Sequence, residues 1–353
     1  MAATAATLTR ARDDLVRVVH RSSGLPAFVR DVGRTLRRAV PFEGVCLLTV
    51  DPATLLPTRE IVQNGLPPSA RIRLTEIELG EADVNKFAAL ASRPVPAASL
   101  SAATRGELDR SLRQREIRRP NGFADELRAV LTGPTGSWGT LTLLRESRRP
   151  HFTTAEVGLV AALAATLADG VRRAMLVDGG VGDGPSDTGV LVLAADNTVE
   201  LANPPAARWM EELSPPGQPA AELPVGIRAV AAQTRRVAAG DRSVLASARI
   251  RTRAGRWVVV RGSLSGPDQV VVLLEAARPA ELAEVITDAY GFTERERMIT
   301  TLVARGLSTT EIAGRLHLSG YTVQDHLKAI FDKSGTSSRG QLVSRLFLDH
   351  DRP

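Results

Sequence analysis

Only three residues, His317-Leu318-Ser319, separate two stretches of helical pattern near the end of this 353-residue chain, and no other feature restricts its fold so severely. The first stretch opens behind Ser308 with "STTE", a capping box in which a hydroxyl and the carboxylate of Glu311 each satisfy a backbone N–H orphaned at the helix start. "TERE", Thr293 to Glu296, is a second such box, and "SRGQ", Ser338 to Gln341, has the same form. Gly306 falls where a left-handed cap would end the helix begun at Glu294, and Ser319 is placed to cap the next one. These signals predict four short helices over roughly 294–304, 309–316, 320–333 and 339–348. Two helices joined so tightly must cross at a steep angle, which is the geometry of a helix-turn-helix.

The third of these helices has two unlike faces. Val323, Leu327, Ile330 and Phe331 can close a miniature core with Ile312, Leu316, Leu318, Ile299, Leu302 and Val303, and Ala313 is small where the second helix approaches. The opposite face carries Tyr321, Gln324, Asp325, Lys328 and Asp332, spaced three and four apart and so neighbours along one side. In a major groove Gln pairs with adenine, Lys with guanine, and Asp accepts from cytosine. The hydroxyls of Ser319 and Thr322, at a helix N-terminus, suit phosphate. Plainer readings stand beside these. Lys328 contacts DNA or is a solvated lysine; His326 faces DNA or packs beside the scaffold helix; Asp325 touches a base or favours the positive end of its own helix. Arg339 binds phosphate or pairs an acid, and Tyr321 is expected exposed because the apolar stripe does not need it.

Residues 292–343 resemble a LuxR-type DNA-binding domain. The family pattern of T-x-R-E, G-x-S, E-I-A, T-V-x-x-H and S-R is met at Thr293, Arg295, Glu296, Gly306, Ser308, Glu311, Ile312, Ala313, Thr322, Val323, His326, Ser338 and Arg339. The likeness implies that the helix from Thr322 to Lys333 is the recognition helix, that the last helix is a dimer contact, and that the partners are double-stranded DNA, a second copy of the chain and RNA polymerase. The candidate DNA-binding set is Ser308, Ser319, Tyr321, Thr322, Gln324, Asp325, His326, Lys328, Lys333 and Arg339. Gln324 and Asp325 depart from the family, many of whose members carry a basic or neutral residue there, which weakens general attraction to phosphate.

Net charge does not carry this reading. The excess of +6 lies upstream: Lys+Arg against Asp+Glu is 25 to 18 in residues 1–175, 10 to 11 in 176–275 and 10 to 10 in 276–353. The placement of charges must decide.

Upstream, a multidomain chain is expected. Leu25 to Val40 has a helical period, Gly44 to Val50 and Gly139 to Leu144 read as strands around a middle that resists assignment, and Thr153 to Met175 reads as one long helix capped by Thr153 and Glu156. This order resembles a GAF domain, an α+β sensory fold, over residues 1–177. The glycine-rich run "DGGVGDGPSDTG", Asp178 to Gly189, reads as a linker (178–188) because no strand precedes it and no helix opens inside it, as a phosphate-binding loop requires. Residues 189–276 are similar to an α+β PAS domain, with strands near Gly189 and Val199, a helix from about Pro205, a helical middle around Arg228 to Ala239, and strands at 243–252, 256–263 and 269–275. Ala277 to Tyr290 reads as a connector helix before an all-α four-helix domain at 291–353.

Several function classes are disfavoured. The Arg-rich piece Arg105 to Arg119, without an aromatic residue, reads as a solvated helix rather than a nucleic-acid groove. Cys46, the single cysteine, is expected to be a buried inert thiol, which fits a reduced, cytoplasmic setting. No apolar run suggests a membrane span, and the first residues lack a secretory signal's apolar block. His20 and His151 share no ligand spacing for haem or metal, no receiver-like acidic cluster suggests phosphorylation, and no nucleophile elbow or phosphate loop suggests an enzyme, so no cofactor is expected. A small-molecule effector at the sensor region is compatible with the folds, provided that it binds two states unequally. The alternative function is a partner-titrating protein whose helix-turn-helix does not bind DNA.

Overall fold

The computed structural model describes residues 5–346 except 22–23, 178–184, 186, 216–221, 241–244, 267–268 and 345, so most of the expected linker at 178–188 lies outside the described residues. The chain divides into two compact units, the larger covering Met1–Gly133 and Ser137–Ala276, the smaller Ala277–Pro353 together with Pro134–Gly136.

The larger unit holds two antiparallel five-stranded sheets. The first is built from α1 (Ala5–Arg21), α2 (Leu25–Ala39), β1 (Gly44–Val50), β2 (Pro57–Gln63), α3 (Arg71–Gly80), α4 (Phe87–Ala91), β3 (Ala97–Ser99), α5 (Leu100–Thr104), β4 (Phe123–Gly133), β5 (Gly136–Glu146) and α6 (Thr154–Val177). The second comprises β6 (Gly189–Leu193), β7 (Val199–Ala202), α7 (Pro204–Leu213), α8 (Val225–Ala238), β8 (Ser247–Arg251), β9 (Trp257–Leu264) and β10 (Val270–Ala276). The strand orders are β2-β1-β5-β4-β3 and β7-β6-β10-β9-β8, so each sheet, counted along its own strands, runs second, first, fifth, fourth, third.

Alternation along the first sheet's strands sorts residues onto two buried faces. Val45, Leu47, Leu127, Ala129, Leu131, Leu141 and Leu143 make an aliphatic face, completed by the stripe Leu159, Val160, Leu163, Leu167 and Val171 of α6. Gly170 permits the close approach of α2, since a Cβ there would lie 2.3 Å from the Phe28 ring. Contrary to the expectation from run length, α6 is long and apolar enough between Thr154 and Met175 to cross a membrane; its buried stripe packs on β4, α1 and α2. The cap foreseen at Thr153 is present, with Glu156 accepting from the Thr153 amide at 2.8 Å.

The other face carries Cys46, Glu60, Glu126, Arg128, Thr140 and Thr142, and it overturns one expectation. Arg105 to Arg119 is not a solvated helix: it forms short irregular turns, and the Arg113 side chain is fully buried, bonding Asp83 at 2.6 Å and Glu126 at 2.6 Å. Arg118 bonds Glu126 at 3.1 Å, and Arg128 bonds Glu78 at 2.7 Å while stacking on Phe87. Burial alone would raise the Glu126 carboxyl, but Arg113, Arg118 and Arg128 outweigh it and hold the pKa at about 2. Cys46 is half-buried rather than buried; burial and the neighbouring Glu60 push its thiol well above the ordinary range, so it stays protonated.

The second sheet's core centres on Trp209, Ile227, Val230, Val258, Val260 and Val272, and Leu56 of the first half joins it. Helix α8 packs on β9 and β10 and also on β2 and α3, while Asp51 accepts from Arg249 at 2.7 Å. The two halves are thus joined through α8, Leu56 and the Asp51–Arg249 pair.

The smaller unit is all-helical: α9 (Pro279–Ala289), α10 (Glu294–Ala304), α11 (Thr309–Leu316), α12 (Gly320–Ser334) and α13 (Arg339–Val343). The apolar side of α9 is buried through Leu282, Val285, Ile286 and Ala289. The expected extension of the last helix to 348 falls partly outside the described residues.

Candidate nucleic-acid interface

Side-chain caps at helix starts, at Thr293, Ser308, Ser319 and Ser338, and left-handed residues at helix ends fix the smaller unit. Both capping boxes close: Thr293 and Ser308 accept from the amides of Glu296 and Glu311 at 3.3 Å, and those glutamates accept from the Thr293 and Ser308 amides at 2.7 Å. Gly306 (φ 82°) ends α10 with Leu307 N–H donating to Leu302 O, and Gly335 (φ 65°) ends α12 with Thr336 N–H donating to Phe331 O. His317 takes the same left-handed position (φ 54°) after α11, where Leu318 N–H donates to Ala313 O at 2.9 Å. A non-glycine residue there turns the chain within the three-residue connection that the sequence prescribed. Ser319 then starts α12 by accepting from Thr322 N–H at 3.0 Å.

Helix α12 packs against both α10 and α11. Its Val323, Leu327 and Ile330 are buried with Ile299, Leu302, Val303, Ile312 and Ala313, while Leu316, Leu318 and Phe331 are only half-buried. On its other side Gln324, Asp325, Lys328 and Asp332 are exposed, and Tyr321 is 75% exposed. Among the described residues, Lys328, Arg305 and Arg315 have no acidic partner. Arg315, in the last turn of α11, is not marked by the sequence, since an isolated arginine at a helix end gives no periodic or motif signal.

The remaining candidates divide. The Ser308 hydroxyl bonds Glu311 at 2.7 Å, and the Ser319 and Thr322 hydroxyls bond each other at 2.8 Å, so all three are tied into helix starts. His326 is half-buried. Lys333 lies on the scaffold side: its ammonium donates to both Glu296 oxygens, at 2.6 and 2.9 Å, and to Gly291 O at 3.2 Å. Burial raises the Glu296 carboxyl, but Lys333 and the Thr293 amide more than offset it and hold the pKa below the usual range. Arg339 donates to Leu307 O at 2.6 Å and Thr309 Oγ1 at 2.8 Å, which ties α13 to the start of α11, and it pairs no acid among the described residues. Arg295, noted only as a motif position, donates to Leu316 O at 3.4 Å across to the end of α11.

The capped helix pair with one polar face free defines the class, a helix-turn-helix unit. Residues 291–346 match the family of bacterial regulatory proteins, luxR family. Over 59 residues the chain is 42% identical to the response regulator Rre1 of Synechocystis, covering 17% of this chain and 25% of that one. Over 51 residues it is 49% identical to Mb0914c of Mycobacterium bovis, described as an HTH-type transcriptional regulator, covering 14% and 6%. The chain thus spans a quarter or less of the length of these relatives. Among solved structures, a GAF domain/HD domain protein from Geobacter sulfurreducens aligns with 48% of this chain and 98% of its own at 18% identity and a TM-score of 0.31. Escherichia coli SdiA aligns with 96% of this chain and 95% of its own at 12% identity, also with a TM-score of 0.31. Neither value assigns a fold or a ligand to the larger unit.

Proposed function

We propose that this chain is a sequence-specific DNA-binding transcription regulator that inserts α12 into the major groove. The observation that carries the reading is the division of α12: Val323, Leu327 and Ile330 buried, Gln324, Asp325 and Lys328 exposed, in a unit matching the luxR family. Gln324, Asp325 and Lys328 read base edges, and Tyr321 flanks them. The phosphate contacts come from the N-terminal turn of α12 around Ser319 and Thr322 and from Arg315, with Ser308 and His326 at the margin. Lys333 and Arg339 hold the scaffold and act on DNA through it.

One such unit makes few contacts, so the working form is a homodimer on an inverted repeat with half-site centres about 10 base pairs apart. The protein works in the cytoplasm beside RNA polymerase, and the two-sheet unit, with its GAF-like and PAS-like halves at 1–177 and 189–276, supplies the controlling signal through α9.

Selection of the full chain on a pool of random duplexes tests this directly. An enriched palindromic site, bound with an affinity that falls steeply with salt, is the expected result. Absence of any enriched site at low salt refutes it and favours the partner-titrating alternative, for which Asp325 and Asp332 on the exposed face speak.

A further inference from the structure

The polar face of the first sheet encloses a cavity of about 60 Å³ that DNA binding does not use. Leu48, Val62, Leu74, Leu144 and Phe87 give it apolar walls, and Val225 and Arg228 of α8 contribute to its lining from the second half. Arg118 opens onto it while only 4% exposed. Its Nε donates to Glu126 at 3.1 Å, and its two terminal nitrogens have no hydrogen-bond partner among the described residues. A guanidinium carries five N–H donors, so those of the Arg118 terminal nitrogens stay open to an acceptor in the cavity. Arg113, by contrast, bonds two carboxylates and the Val84 carbonyl with the same groups.

The charges around Arg118 already balance. Arg113, Arg118 and Arg128 face Asp83, Glu126 and Glu78. At the opposite wall Arg71 and Arg228 face Glu60 and Glu222. A further buried anion would have no countercharge, whereas a neutral acceptor would satisfy Arg118 without adding one. A mostly apolar hollow with a few convergent polar groups is the usual form of a small-molecule site.

We propose that this cavity binds a small neutral molecule whose carbonyl oxygen accepts from the terminal nitrogens of Arg118 and whose short apolar body lies against Leu48, Val62 and Phe87. Because Val225 and Arg228 belong to α8, occupancy is felt by the helix that both sheets share. As the input of the regulator described above, the site rests on that reading. The test below has no duplex present, so its failure is separate from failure of DNA binding.

The experiment titrates propionamide, and separately its charged isostere propionate, into the full chain with labelled Leu and Val methyl groups. Saturable shifts of the Leu48, Val62 and Leu144 methyls with propionamide, none with propionate, and affinity lowered about tenfold or more in Arg118→Met are expected. The absence of saturable shifts at those methyls in the wild-type chain overturns the proposal, as does propionate binding equally well. Unchanged propionamide binding by folded Arg118→Met also overturns it. If that variant does not fold, Val62→Phe fills the cavity with the charges left in place, and unchanged binding there is equally fatal.

Discussion

Lys328 and Lys333 lie on one helix, yet their replacement by methionine is expected to have opposite signatures. The Lys333 ammonium bonds both oxygens of Glu296, whose side chain is 5% exposed. A charge-assisted bond of this kind is worth about 1.5–3 kcal/mol. The lysine side chain itself is 35% exposed, and solvent screening reduces the figure to about 1–2 kcal/mol. Lys328 is exposed without an acidic partner, so its removal should change stability by less than about 0.5 kcal/mol. The chain's two tyrosines, Tyr290 and Tyr321, both lie in the smaller unit, so 3-fluorotyrosine labelling lets fluorine NMR follow that unit alone during urea unfolding. With a urea dependence of about 1–2 kcal/mol per molar, Lys333→Met should lower the midpoint by about 1 M. Lys328→Met should leave the midpoint in place and weaken binding to the selected duplex by about 1–3 kcal/mol per half-site. The reasoning fails if Lys333→Met leaves the midpoint unmoved, or if Lys328→Met leaves the binding isotherm at fixed salt unchanged.

Three further outcomes are expected. Gly306→Ala meets no atom within 4 Å but forces a side chain into φ 82°, so it should cost about 1 kcal/mol by the same fluorine measurement. Arg113→Met strands Asp83 and Glu126 in the interior and should destabilise the larger unit by about 3–5 kcal/mol; Trp138, Trp209 and Trp257, the chain's three tryptophans, all report on that unit by fluorescence. Glu296 has a folded pKa below its ordinary 4.5, so its contribution is present above that value and lost as pH falls through the lowered one. The smaller unit's urea midpoint should therefore fall on acidification below about pH 4.5, and Glu296→Gln should flatten that fall; an unchanged acid slope in the variant would exclude the assignment.

The parts of this fold that were legible in the sequence are those specified within a few residues. Thr293 and Glu296, Ser308 and Glu311, Ser319, and the glycine at 306 announce their helix ends locally, and each cap forms as read. The strands of the second sheet were legible from apolar runs and alternation, as were β1 and much of β5 in the first, whereas β2, β3 and β4 gave no readable run. What escaped depends on distant partners. Arg113 looks like one of several surface arginines until Asp83 and Glu126, 30 and 13 positions away, close on it. Lys333 looks free for DNA until Glu296, 37 positions earlier, is brought beneath it. The cavity beside Arg118 has no local signature either, because its walls come from β1, β2, β4, β5, α3 and α8 together.

Helix α8 has a consequence for how the larger unit is inherited and damaged. Because it lies on β9 and β10 and at once on β2 and α3, neither half owns its own wall. A protein cut in the glycine-rich run would strand Asp51, 2% exposed here, without the guanidinium of Arg249, and leave Leu56 bare. The halves should therefore melt in one step and fail as separately expressed pieces. Drift on one side of this seam must be matched on the other.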